Sequence, residues 1–185
     1  MSYINRFQLD IDLEVLTKHC YDVAPVIKRN WGDVEQISFL HPMYNLLCFP
    51  NKQLHRLYFN IHENFNQIKK TDELYYITMW INMHSTGQYI DWHTHNPPED
   101  NAYHGYFAVN AEPSTTSFRM PGEEQEDIKN INNQLVIIES NGNEHSVSKW
   151  YGDYDRITIA FDIITAKQAF GNTMFQNKTN KWIPV

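Results

Sequence analysis

The stretch Arg156-Ile-Thr-Ile-Ala-Phe-Asp-Ile163 decides how the second half of this chain folds. Its residues alternate in kind with a period of two, which is the pattern of a β-strand whose side chains point to opposite faces. One face carries large apolar side chains, at Ile157, Ile159, Phe161 and Ile163. The other face carries Arg156, Thr158, Ala160 and Asp162. Such a strand fits a barrel wall that has helices against its apolar face and a cavity on its polar face.

Further runs rich in β-branched and aromatic residues follow from Glu73 onward and alternate with turn clusters. They predict strands at Leu74–Met83, Tyr89–His95, Tyr103–Asn110, Thr115–Met120, Gln134–Ser140, Glu144–Trp150 and Arg156–Ile164. Several short consecutive strands are typical of a β-sandwich or barrel. The acidic break Pro121–Asn133 is predicted to be a solvated loop, with a lid over a site as the alternative.

The N-terminal third is predicted to be helical with one strand. Asp12 is the predicted N-cap of a first helix, which Pro25 ends. Asn51 caps a second helix whose apolar stripe would pack on a sheet, and Lys69 and Lys70 close it. We therefore predict one domain, 1–185, with supporting helices and an N-terminal strand at 1–72, a β core at 73–164 and a C-terminal tail at 165–185.

Composition and charge exclude several classes of protein. The chain has 185 residues, the length of one domain, and its 14% aromatic content argues against disorder of the whole chain. A net charge of −7 provides no basic excess for non-specific nucleic-acid binding. Cys20 and Cys48 are too few for a disulfide framework, and we recognise neither a signal peptide nor a membrane span. We therefore expect a cytoplasmic protein with no membrane partner.

Three histidines are the candidate metal ligands. In an extended Tyr89-Ile-Asp-Trp-His-Thr-His95, the side chains of Asp91, His93 and His95 share one face. Two imidazoles ~7 Å apart along a strand can converge on one ion, ~2.0–2.2 Å from each nitrogen. His145 follows a tight turn further along the chain. Each element alone is a weak signal, because surface histidines are common.

Arg156 is the candidate binding residue for an anion. An arginine that points into a cavity needs an anionic partner, because a buried unpaired charge is costly. The partner is either a protein carboxylate or the carboxylate of a bound acid, with the Thr158 hydroxyl beside the guanidinium. The residues themselves leave both alternatives open.

Taken together, the order and spacing of these residues resemble the iron(II)- and 2-oxoglutarate-dependent oxygenases, and most closely a bacterial and phage branch of them. That branch combines a strand ending in Trp and Asn, a Gly, an H-x-H, a Gly-aromatic strand, a distal His after a turn and an R-[IL]-[ST] strand. This chain supplies Trp80, Asn82, Gly87, His93, His95, Gly105-Tyr-Phe107, His145 and Arg156-Ile-Thr158. The resemblance covers Trp80–Ile163.

The resemblance implies a mainly β fold, with a double-stranded β-helix (jelly-roll) core and supporting N-terminal helices. It implies that His93 and His145 ligate Fe(II), and that Arg156 with Thr158 holds the far carboxylate of 2-oxoglutarate. With O₂, such enzymes form succinate and CO₂ and usually hydroxylate a substrate, here a protein side chain or a small molecule. Tyr106 is a further candidate for binding the co-substrate, and a homodimer stays open.

Position 95 departs from the family pattern, which has H-x-[DE] and a distal His. Three interpretations remain: His95 is the third ligand, a carboxylate such as Asp91 completes the site, or one position stays open. Because His95 lies two residues beyond His93 on one strand, periodicity favours His95 as a direct ligand.

Two other interpretations compete with the oxygenase. A metal cupin, which needs no 2-oxoglutarate, would use His93, His95, Glu99 and His145. The loop-forming Pro97-Pro98 and the lack of a role for Arg156 in a cupin favour the oxygenase. The third interpretation is a non-catalytic β-sandwich binding protein. His104, next to Gly105, is expected to be structural.

Overall fold

The structure is a computed structural model that describes residues 3–31, 37–40, 44–69, 71–96, 101–171 and 182–185. In this part of the chain, ten strands are accompanied by three α-helices and a short 3₁₀ turn. The helices are α1 (Leu13–Trp31), α2 (Lys52–Ile68) and α3 (Ala166–Gly171), and the 3₁₀ turn is Leu46–Cys48. The strands are β1 (Ile4–Gln8), β2 (Tyr75–His84), β3 (Ile90–His93), β4 (Tyr103–Asn110), β5 (Thr115–Arg119), β6 (Glu126–Lys129), β7 (Gln134–Glu139), β8 (Glu144–Val147), β9 (Arg156–Thr165) and β10 (Ile183–Pro184).

The strands form two antiparallel sheets, which confirms the predicted mainly β fold with a double-stranded β-helix core. The larger sheet has the order β1-β7-β4-β9-β2-β10, and the smaller has the order β3-β8-β5-β6. Two strands from outside residues 73–164, β1 and β10, pair with β7 and β2 at the edges of the larger sheet.

Strand β9 lies inside the larger sheet, where it pairs with β2 along ten residues and with β4 on its other side. Its apolar face belongs to one hydrophobic cluster with the buried sides of α1 and α2. Its polar face lines a cavity between the two sheets. The alternation read from the sequence is confirmed on both faces.

The caps of both long helices are confirmed. The Asp12 carboxylate accepts a hydrogen bond from the Val15 backbone N–H, and the Asn51 side chain accepts from the N–H groups of Gln53 and Leu54. Helix α2 ends at Ile68. Its backbone is closed by Lys69, whereas Lys70 lies outside the described residues.

Helix α1 corrects the prediction that Pro25 ends the first helix, because it continues through Pro25 to Trp31. Pro25 is on the exposed side, whereas Ile27, two residues further on, is fully buried in the core. A proline inside a helix costs about 3 kcal/mol, and burial of apolar side chains beyond it offsets that cost.

The smaller sheet corrects three further boundaries. Strand β3 ends at His93, two residues before the predicted end at His95. The break at Pro121–Asn133 contains β6, which pairs with β5 from Thr115 to Phe118. Only one side chain of β6, Ile128, is buried, so the strand shows little apolar alternation. Strand β8 ends at Val147, three residues before the predicted end. No helix in the described ranges is long and apolar enough to cross a membrane.

Candidate metal centre

The two sheets enclose a cavity of about 630 Å³. Its polar lining includes four histidines and one arginine, His93, His95, His104, His145 and Arg156. Its apolar and aromatic lining includes Trp80, Tyr89, Ile90, Trp92, Phe118 and Val147. A few convergent polar groups in a mostly apolar cavity of this size are typical of a small-molecule site.

The structure brings together the three histidines that the sequence singled out. His93 of β3 lies directly opposite His145 of β8, and their ring centroids are 4.1 Å apart. His95 follows β3, and its ring lies 5.3 Å from that of His93 and 4.9 Å from that of His145. One possible ligand nitrogen from each residue lies within 4.8 Å of the other two.

The hydrogen bonds of His93 and His95 orient both rings toward each other. His93 Nδ1 is 2.9 Å from the Asp91 carbonyl oxygen, and His95 Nδ1 is 2.6 Å from Asp162 Oδ1. A carbonyl or carboxylate oxygen only accepts, so the partners assign the proton to Nδ1 in each ring. In its neutral form, each ring then presents a lone pair at Nε2. Burial lowers the pKa of His95, but the charge of Asp162 and the hydrogen bond to it outweigh that effect and raise the pKa above its ordinary value.

The two Nε2 atoms are 3.3 Å apart, which fits a shared metal ion. Two ligands ~2.1 Å from one ion, at angles between 90° and tetrahedral, are separated by roughly 3.0–3.4 Å. Two lone pairs at this distance repel each other unless a metal ion or a proton lies between them. The donor set is therefore compatible with a divalent transition metal, for which imidazole is a common ligand.

His145 supplies the third nitrogen and is buried. Its Nδ1 has no hydrogen-bond partner among the described residues. Burial, and then the neighbouring rings of His104, His95 and His93, hold the pKa of His145 well below its ordinary value. A buried neutral imidazole with an unsatisfied nitrogen is stabilised when a ligand satisfies that nitrogen.

His104 lies beside the three-histidine group and outside it. It is on β4, with its ring 5.0 Å from that of His95 and 4.7 Å from that of His145. Its Nε2 donates to Asn143 Oδ1 at 3.0 Å. Burial is the largest cause that lowers the pKa of His104 to about 3, so the ring is neutral at neutral pH.

Of the two carboxylates considered from the sequence, Asp91 does not join the group. The Asp91 side chain is exposed and accepts a hydrogen bond from the Trp92 backbone N–H at 2.9 Å. The backbone carbonyl oxygen of Asp91 accepts the hydrogen bond from His93. Glu99 and the two prolines before it lie outside the described residues. Among the described residues, the Asp162 carboxylate contacts the group through His95.

Arg156 lies at the start of β9 and is 1% exposed. Its Nε donates to Ser114 Oγ at 2.7 Å, and one terminal nitrogen donates to His84 Nδ1 at 3.4 Å. The salt bridges of the described residues do not include Arg156, so no described carboxylate neutralises it. Burial lowers the pKa of Arg156 to about 10, which leaves it cationic at neutral pH.

Thr158 and Tyr106 line the same cavity as Arg156. The Tyr106 hydroxyl is buried and makes no hydrogen bond of normal geometry with the described residues. Burial raises the pKa of Tyr106, and the side chains of Thr116 and Arg156 oppose that shift to a smaller extent. A neutral hydroxyl donor is thus available beside the buried cation.

Asp162, His84 and Asn143 are the polar partners that sequence reasoning gave no role. The strand pattern predicts that Asp162 faces the cavity, but no local pattern in the sequence pairs it with His95. His84 lies directly opposite Arg156 in the β2–β9 register, and Asn143 follows the tight turn before His145. Strand pairing is the signal that would have found His84.

No protein-family model and no curated protein sequence matches this chain. Solved structures do match. A prolyl hydroxylase from Trichoplax adhaerens, in complex with a peptide fragment of the hypoxia inducible factor oxygen degradation domain, is 14% identical with a TM-score of 0.68, over 92% of this chain and 87% of that one.

A Pseudomonas putida prolyl-4-hydroxylase is 12% identical with a TM-score of 0.59, over 87% of this chain and 92% of that one. The nickel complex of the non-heme monooxygenase ThoJ is also 12% identical, with a TM-score of 0.60 over 88% and 73% of the two chains. The chain therefore has the double-stranded β-helix fold of the 2-oxoglutarate- and iron(II)-dependent oxygenases.

Proposed function

We propose that this protein is an Fe(II)- and 2-oxoglutarate-dependent dioxygenase that hydroxylates a substrate and forms succinate and CO₂. The observation that carries the proposal is one cavity lined by both a three-histidine group and a buried arginine with no described carboxylate partner. The first feature suits a redox-active metal, and the second suits the far end of a dicarboxylate.

His93, His95 and His145 would hold the metal through neutral imidazoles. When bound, the iron would supply the coordination sites at which O₂ reacts with the keto acid, while the keto acid and the substrate supply the electrons. The Asp91 carbonyl and the Asp162 carboxylate accept hydrogen bonds from Nδ1 of His93 and His95, which orients the Nε2 atoms of these two rings toward each other. Trp80 stacks on His95 with centroids 6.0 Å apart and limits the movement of that ring.

Arg156 would bind the carboxylate of 2-oxoglutarate that is remote from the metal. A guanidinium has five N–H donors, and Ser114 and His84 accept from two of them. Neither acceptor carries a negative charge, so the remaining donors and the positive charge are available to an anion. A bidentate contact between the guanidinium and the carboxylate would orient the co-substrate, and the Tyr106 and Thr158 hydroxyls lie beside this contact.

The overall reaction balances with these reactants alone. One oxygen atom of O₂ enters succinate, the other is inserted into a substrate C–H bond, and CO₂ leaves the keto acid. The chain's own part is to orient the reactants and to exclude water with apolar walls such as Phe118 and Val147. We propose a protein side chain or a small molecule as substrate.

A metal cupin without 2-oxoglutarate is the second candidate, because the three histidines that it would use meet in one group, while its fourth ligand, Glu99, lies outside the described residues. It explains the metal ligands equally well. It gives no function to the buried cation of Arg156, which is why the oxygenase is preferred.

An anaerobic binding titration separates the two candidates. Protein loaded with one Fe(II) per chain is titrated with 2-oxoglutarate, and Arg156→Gln is compared with Arg56→Gln, whose side chain lies on α2 and contacts Gln53. We expect one 2-oxoglutarate per wild-type chain and an affinity about 30- to 5,000-fold lower in Arg156→Gln with the metal retained. Wild-type protein that binds the metal and no 2-oxoglutarate would favour the cupin.

Turnover gives an independent check of the same proposal. With O₂ admitted and no substrate added, the loaded protein should convert 2-oxoglutarate slowly into succinate. Arg156→Gln should lose this conversion at 2-oxoglutarate concentrations that saturate the wild type, and Arg56→Gln should keep it. Succinate formation that is equal in both variants would contradict the role of Arg156.

A further inference from the structure

We propose that Asp162 is a positioning residue of the metal centre and that it acts through His95. In an H-x-[DE] pattern a carboxylate binds the metal directly, whereas here the negative charge of Asp162 would lie behind the ligand His95. The inference rests on the proposed function, because it takes the three histidines as ligands. The observation behind it is the 2.6 Å contact between His95 Nδ1 and Asp162 Oδ1.

The position of Asp162 in the sheet makes this contact well defined. Asp162 lies on the cavity face of β9, where its backbone is flanked by Thr78 of β2 and His104 of β4. His95 follows β3 of the other sheet. The contact therefore joins the two sheets at the histidine group, and its carboxylate end is anchored in the interior of the larger sheet.

The environment makes the contact strong. The two side chains are only 15% and 18% exposed, so water screens their interaction little. A charge-assisted hydrogen bond between partners of this kind is shorter and about twice as strong as a neutral one. A carboxylate behind a ligand histidine fixes its tautomer and orientation and increases its basicity as a ligand.

Charge balance gives Asp162 a role beyond orientation. Two histidines and a carboxylate reduce the charge of a divalent ion from two to one, whereas three neutral histidines leave it at two. The carboxylate of Asp162 returns the net charge of the whole site to one, with His95 between this carboxylate and the metal. Asp162 itself is outside the group of atoms close enough to share one ion, so its effect passes through His95.

Two variants of Asp162 separate charge from hydrogen bonding. Asp162→Asn keeps an oxygen that can accept from His95 Nδ1 and removes the charge, and Asp162→Leu removes both. Asp127→Asn is the matched control, because Asp127 is an exposed side chain of β6 whose loss changes the net charge equally. Co(II) affinity is measured by competition with a chelator, and the visible bands of the Co(II) protein report the ligand field.

We expect Co(II) affinity to fall about tenfold in Asp162→Asn and up to about 100-fold in Asp162→Leu. The visible bands should shift in Asp162→Asn and stay unchanged in Asp127→Asn. Near-isosteric Asp162→Asn should keep the thermal unfolding midpoint close to that of the wild type, which excludes global unfolding as the cause.

The decisive comparison repeats Asp162→Asn in a His95→Asp background. Because the contact with His95 is absent there, the substitution should change Co(II) affinity by less than about twofold. An equal loss in both backgrounds, or unchanged affinity and bands in Asp162→Asn, would overturn this inference alone. Wild-type protein that binds no divalent metal would overturn both this inference and the proposed function.

Discussion

One face of β9 belongs to the core and the other lines the cavity. The two faces therefore differ in polarity and in the groups they contact, although they belong to one strand. Ile157, Ile159, Phe161 and Ile163 are all fully buried with the apolar sides of α1 and α2. Arg156, Thr158, Ala160 and Asp162 face the cavity. Because neighbouring residues of a strand point to opposite faces, stability and binding can be changed separately by substituting adjacent positions.

The cavity face is itself divided into two ends of opposite charge. Arg156 and Asp162 are six residues apart, which separates their Cα atoms by about 20 Å on an extended strand. They therefore do not pair with each other. Asp162 has His95 as its partner, whereas the described partners of Arg156, Ser114 and His84, are uncharged. This difference is the reason why the proposed anionic co-substrate is assigned to the arginine end.

The largest expected effect is at the histidine end. His93→Ala combined with His145→Ala removes two of three ligand nitrogens and should abolish stoichiometric binding of Fe(II). Metal analysis after loading and desalting checks this, with the free energy of unfolding measured in parallel. Near-unit occupancy in the double variant would show that the metal binds elsewhere.

The next effect is on the core face. Phe161→Ala removes a fully buried ring and should lower the free energy of unfolding by about 3–5 kcal/mol, because it leaves a cavity. Urea denaturation measures the change. Metal affinity, determined where the variant is still folded, should equal that of the wild type. A parallel loss of metal affinity would mean that the two faces are coupled.

A smaller effect is expected at His84, which is buried opposite Arg156. His84→Leu removes the acceptor of one guanidinium N–H and should weaken 2-oxoglutarate binding about 5- to 30-fold, equivalent to about 1–2 kcal/mol. His84→Asn keeps an oxygen near the position of Nδ1 and should bind more tightly than His84→Leu. Calorimetric titration of the metal-loaded variants provides the affinities, and identical affinities in both would contradict this role.

The smallest effects compare two neighbours of similar size. Thr158→Val on the cavity face should weaken 2-oxoglutarate binding by about 0.5–1.5 kcal/mol with stability nearly unchanged. Ile159→Val on the core face should lower the free energy of unfolding by about 0.5–1.5 kcal/mol with affinity unchanged. Measuring both quantities for both variants tests the separation of the faces, which fails if the effects are exchanged.

The sequence predicted the features that depend on local periodicity. The two faces of β9, the Asn51 cap and the turn before His145 follow from spacing and turn chemistry, and all are present. The continuation of α1 through Pro25 was missed because burial of Ile27 overrides a local preference. Strand β6 was missed because it is short and mostly exposed.

The partners of the site residues were missed for a different reason. Asp162 meets His95, and His84 meets Arg156, only because particular strands pair and the sheets face each other. A single sequence does not encode such pairings in any local pattern. The three histidines were found because two share a short segment and the third resembles a family motif.

The most direct test of the central claim is a crystal structure of the protein grown without oxygen, with Mn(II) in place of Fe(II) and with 2-oxoglutarate. We predict one nitrogen from each of His93, His95 and His145 within ~2.3 Å of the ion, and the remote carboxylate of 2-oxoglutarate bound to Arg156. A water or carboxylate in the place of His95, with that ring turned away, would contradict the three-histidine centre.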